Sequence, residues 1–109
     1  MTQNVPLTIN VSAGETEYVG GTITDINGKN ISAATFDIGF ILATGGVITA
    51  PTGVQWVSPS LTTVITNSSV QILFLVPTSQ TPGVYSVWGR MHDTPEVLPR
   101  LLAYDITVQ

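Results

Sequence analysis

The run Phe36-Asp37-Ile38-Gly39-Phe40-Ile41-Leu42 alternates. Phe36, Ile38, Phe40 and Leu42 fall on one side of an extended chain, while Ala33, Thr35, Asp37 and Gly39 take the other. A period of two marks a half-buried β-strand, and the carboxylate of Asp37 predicts that the second face meets water. The same alternation recurs at Val5, Leu7, Ile9 and Val11, and again at Leu102, Tyr104, Ile106 and Val108. These three stretches supply three inner faces, so the expected architecture packs sheet on sheet.

The segments between them read the same way. Pro6 lacks an N–H and places the first strand at a sheet edge, or stands at its start. A second run, Thr16 to Thr24, contains Gly20-Gly21, a pair that marks a bulge or a close backbone approach. Asp25-Ile26-Asn27-Gly28-Lys29 is the strongest turn signal, and its Asn-Gly fits a type I′ hairpin turn with positive φ at both positions. Val54-Gln55-Trp56-Val57 reads as a short strand stopped by Ser58-Pro59, and Val64-Ile65 as a fragment of another. Val70 to Val76 is nearly continuous in apolar residues, which predicts a central strand covered on both sides. Val84 to His92 follows the turn from Pro77 to Gly83. Seven or eight short strands separated by turn signals are the pattern of a β-sandwich.

Composition agrees. Thirteen Val, ten Ile and sixteen Thr, all β-branched, make up more than a third of the 109 residues, and ten Gly with seven Pro break the chain too often for long helices. The length corresponds to one domain over residues 1–109, with its folded body from about Val5 to Val108. The absence of Cys excludes disulfides, thiolate metal sites and a cysteine nucleophile. Three Lys and Arg against seven acids give a net charge of −4, which argues against binding nucleic acid. The most apolar stretch, Ile38 to Ala50, is interrupted by Gly and Thr and is too short to span a membrane as a helix. No basic, apolar leader is written at the N-terminus, so the sequence predicts synthesis in a cytoplasm, and the Asn-x-Ser triplets at Asn10, Asn30 and Asn67 are read as chance.

Chemistry-bearing constellations are sparse. His92 is the one imidazole, and no serine lies in a Gly-x-Ser-x-Gly elbow, which weighs against a catalytic triad. His92, Asp93 and Glu96 lie close in sequence but fall short of the His and Cys pairs of zinc sites and the dense oxygen ligands of calcium loops. Pairs drawn from Asp25, Asp37, Asp93, Glu96 and Asp105 could in principle act on a glycoside, though a sandwich this small leaves little material for a cleft. Gly20-Gly21 and Gly45-Gly46 lack the following helix of a phosphate cradle. Trp56 and Trp88 are read as core anchors. The expectation is therefore a protein with no catalytic residues, no cofactor and no metal.

Two resemblances add to this reading. Thr81-Pro82-Gly83-Val84-Tyr85-Ser86-Val87 resembles the corner that opens strand F of immunoglobulin-like domains, where a tyrosine hydroxyl ties back to nearby backbone. Tyr85 takes the place of that tyrosine, Val87 that of the second cysteine, and Trp56 roughly that of the strand C tryptophan; the cysteine pair itself is missing. Over Val19 to Val108, the Asp25–Lys29 turn, the strand from Ile31 to Phe36, Pro82-Gly83-Val84-Tyr85, Asp93-Thr94-Pro95-Glu96 and Ile106-Thr107-Val108 look like small immunoglobulin-like virion proteins of tailed bacteriophages. Those include capsid decoration domains and tail or baseplate domains.

That resemblance implies a non-enzymatic virion structural protein, made in the host cytoplasm and decorating the outside of a phage head. A chain starting at Met1 fits a free-standing subunit. A tail, baseplate or head–tail connector component is the runner-up, and a carbohydrate-binding host-adhesion module is the alternative from another class. The implied partners are the major capsid protein or other virion proteins, including a further copy of itself. The uncharged loop 43–53 carries the branched residues Val47 and Ile48, which point to a protein contact or, equally, to a cover over the end of the sandwich. Val5, on the first strand, is a second contact candidate through strand addition.

Overall fold

A computed structural model of the protein describes residues 6–8, 17–77, 79–92 and 99–108. Among these residues seven strands form two sheets: β1 (Pro6–Thr8), β2 (Glu17–Thr24), β3 (Phe36–Leu42), β4 (Leu61–Thr66), β5 (Ser69–Val76), β6 (Gly83–Met91) and β7 (Arg100–Val108). One sheet has the order β1-β7-β6-β3 and the other β2-β5-β4. All pairings are antiparallel except β1 with β7. Apart from β1, which joins the last strand in parallel, this is the immunoglobulin-like arrangement, with the second, fifth and fourth strands facing the third, sixth and seventh. The all-β sandwich expected from the alternation is the fold observed.

The inner faces follow the two-residue period. Val19 and Ile23 of β2, Phe36, Ile38 and Phe40 of β3, and Val70, Ile72, Phe74 and Val76 of β5 meet Tyr85 and Val87 of β6 and Ile106 and Val108 of β7. Phe40 sits between Phe74 and Tyr85, stacked on each, with ring centroids 5.2 and 4.3 Å away. Tyr85 makes the expected corner: its hydroxyl donates to the Thr81 carbonyl (2.6 Å) and accepts from Gln80 Nε2 (3.0 Å). Asp105, at φ 56°, interrupts β7 where its register against β6 slips between Tyr85 and Val87. A second slip follows between Val87 and Trp88, and together they let Leu102 and Ala103 as well as Ile106 pack against the core, while Tyr104, expected on the inner face, is not part of it.

Four local expectations are corrected. The 25–29 segment turns, but not as a type I′ hairpin: only Gly28 has positive φ (76°), and Asp25 Oδ1 accepts from the Asn27 and Lys29 amides at 2.8 and 3.3 Å. The reason is topological. β2 pairs with β5 and β3 with β6, so this segment crosses between sheets instead of joining neighbours. Val54–Val57 is not a strand; Gly53–Gln55 is a 3-10 turn, and Val57 alone bridges to Ile38. The Val64-Ile65 fragment is a full strand, β4. Finally, β5 is central in its sheet but covered on one face only, with Gln71, Leu73 and Leu75 of its other face half-exposed.

Candidate protein-contact site

After β3 the chain makes a tight turn. Ala43 donates to the Val84 carbonyl (2.8 Å), and Val47 returns to the Thr44 carbonyl (3.1 Å) across Gly45 and Gly46, which take φ of 62° and 79°. The turn lifts its two branched side chains away from the core: Val47 is 61% and Ile48 40% exposed. Ile48 also walls a pocket of about 330 Å³ with Leu42, Val84, Tyr85 and Asp105. Asp105 is the one charged residue on that wall, and Leu42 and Val84 are themselves exposed apolar residues. An open apolar cleft with a single carboxylate suits the side chains of a protein partner better than a polar ligand.

The rest of the loop does something different. Pro51 is buried against Gly39, where a Cβ would collide with its ring, and Val57 exchanges two hydrogen bonds with Ile38 (2.8 and 2.9 Å). The expected cover over the end of the sandwich is replaced by a cover over β3. Residues 44–48 stand out into solvent beside the pocket, and residues 51–57 cover the outer face and edge of β3.

That cover corrects the reading of Asp37, which is 7% exposed and does not meet water. Arg90 Nε donates to its Oδ2 at 2.9 Å, and His92 Nδ1 lies 2.9 Å from both carboxylate oxygens. Above them Arg90 stacks on Trp56, its guanidinium carbon 4.3 Å from the ring centroid. Trp56 therefore lies on the outer face, half-buried, and not on the third strand or in the core. Trp88, also half-buried, donates through Nε1 to Ser86 Oγ (2.9 Å). The period-two spacing of Arg90 and His92 was the available signal for this cluster. Locating Asp37 beneath them required knowing that β3 pairs with β6.

Replacing Asp37 with alanine is expected to destabilise the fold by about 1–2 kcal/mol, read as a lower urea midpoint. A fully buried pair broken in this way costs about 3–5 kcal/mol, but the Arg90 and His92 side chains are 33% and 49% exposed and can turn to water. A loss above that range would mean that Arg90 stays trapped.

The other candidates do not converge. Asp25 caps its own turn and borders a separate pocket of about 280 Å³ with Arg90 and Arg100, whereas Asp105 borders the Ile48 pocket. Among the described residues no three His, Asp or Glu side chains come together as metal ligands. Asp93, Glu96 and the contact candidate Val5 lie outside the described residues. No protein-family model, no curated protein and no solved structure matches this chain.

Proposed function

We propose that this chain is a non-enzymatic virion structural protein that decorates the outside of a tailed-phage head, attaching by protein–protein contact through residues 44–48. The observation that carries the contact is the pair Val47 and Ile48, held exposed beside an apolar pocket by a turn that its two positive-φ glycines fix. The virion setting rests on the resemblance of the Asp25–Lys29 and Pro82–Tyr85 segments to phage virion proteins. A composition rich in Ser and Thr, poor in charge and free of Cys also suits a module that persists outside a cell.

Purified particle fractions test it. The protein is expected to co-sediment with empty, tailless heads, and the double substitution Val47→Asp and Ile48→Asp should weaken that binding by more than about 30-fold while leaving the unfolding midpoint unchanged. Because the contact is apolar, binding should survive moderate salt. Co-sedimentation with tails alone would overturn the head assignment, and unimpaired binding by the double variant would overturn the contact.

A further inference from the structure

Among the described residues the two sheets end in four edges, and three of them are blunted in the ways sheet proteins use against edge pairing. β1 is a three-residue strand that opens with Pro6. The edge of β3 is occupied at Ile38 by Val57. β2 begins with the charged Glu17 and carries Gly20-Gly21, a weak strand-forming pair, at its middle. β4 differs. Leu61-Thr62-Thr63-Val64-Ile65-Thr66 has no charge, no Pro and no Gly, all six residues are exposed, and among the described residues only β5 pairs with it. Its one irregularity is a register shift between Val64 and Thr66, at the hairpin end.

We propose that this edge pairs with the β4 edge of a second copy of the chain, joining two three-stranded sheets into one antiparallel sheet of six. Charge selects this occupant. From Ile38 to Gly89 the chain holds no Asp, Glu, Lys, Arg or His, so β4, β5 and their connecting turn are neutral in a molecule of net charge −4. Two copies repel each other at a distance, yet along this edge they bring no like charges together. A basic partner drawn by the net charge would find nothing here to pair with.

Symmetry fits as well. A two-fold axis perpendicular to the sheet keeps both cores on one side and sets one residue opposite itself. With Thr63 at that centre, Thr63 faces its own copy and Thr62 faces Val64, and the regular pairing ends at the register shift that follows Val64. Leu61 also pairs with Leu73 on the outer face, so an apolar surface continues across the join. One short strand pair buries less than a standard interface, so the dimer is a reversible one that forms at high concentration.

The contact is separate from residues 44–48, and the Val47→Asp, Ile48→Asp protein should dimerise normally. Sedimentation velocity over a micromolar-to-millimolar series should show monomer passing to dimer, more readily in high salt, which screens the repulsion between copies. Thr63→Lys should abolish the dimer with no loss of folded β signal. In a protein without native Cys, Thr63→Cys should oxidise to a covalent dimer, because the two-fold sets the thiols opposite each other, while Val54→Cys, exposed in the 3-10 turn that packs on β3 of the other sheet, should not. Amide exchange on the unsubstituted protein should show protection of residues 61–64 that grows with concentration, a readout independent of how any variant folds. A monomer throughout the series, a dimer that survives Thr63→Lys, equal cross-linking from both thiols, or exchange at 61–64 that ignores concentration would each overturn the proposal.

Discussion

Replacing Gly20 with alanine is expected to destabilise this protein by about 3 kcal/mol or more, a large share of what holds a domain of this size together. Gly20 lies on β2 opposite Leu73 of β5. A Cβ at this position would fall inside van der Waals contact of the Ile72 carbonyl oxygen and only 2.9 Å from the Leu73 Cα. Both obstacles are backbone, so no rotamer change relieves them and the β2–β5 ladder must open.

Its neighbour makes the control. The nearest atoms to a Cβ on Gly21 would be those of the Leu102 side chain, with its Cβ at 3.1 Å. To admit it Leu102 must shift by a few tenths of an ångström, a cost opposed by the roughly 0.5–1 kcal/mol that alanine recovers over glycine in a strand. Gly21→Ala should therefore change stability by about 1 kcal/mol at most. Urea unfolding of the two single variants separates them, and equal midpoints would show that the strands are not held as closely at Gly20 as described.

This pair of glycines also marks how far the sequence could be read. A Gly-Gly inside a strand signals a close backbone approach, and the approach is there at Gly20. The sandwich itself was legible because alternation at 36–42 is a property of consecutive residues, whereas in the last strand the register slips against β6 bring Ala103 inward in place of Tyr104. The partner of each strand was not. Asn27-Gly28 correctly announced a turn, but its type depends on β2 pairing with a strand that begins more than forty residues later.

The same limit explains the site. Val47 and Ile48 stand out locally, as branched residues among glycines without strand periodicity. Asp37 is held by Arg90 and His92, with Trp56 stacked on Arg90, and only the folded register places them together. A charge on the outer face of a strand is exposed unless a loop returns over it, and no local pattern states that the loop will return.

The core between the two sheets offers the second large effect. Ile72 is fully buried, and its substitution by alanine is expected to cost about 3–4 kcal/mol, from lost transfer free energy and the cavity left behind. The cavity has a particular neighbour. A Cβ on Gly89 of β6 would lie 2.7 Å from Ile72 Cδ1, 3.0 Å from Leu102 Cδ1 and 3.1 Å from Ile23 Cδ1. Residue 89 is thus small because Ile72 reaches across from the opposite sheet. These obstacles are the ends of flexible side chains, so Gly89→Ala alone should cost only about 1–2 kcal/mol. Combined with Ile72→Ala, the closest clash is gone and the new methyl fills part of the void. The double variant should then be more stable than the sum of the single losses allows, by about 1–2 kcal/mol. A double-mutant cycle measured by urea unfolding reads this coupling directly. Additive losses would mean that Leu102 and Ile23, and not Ile72, set the space available at residue 89.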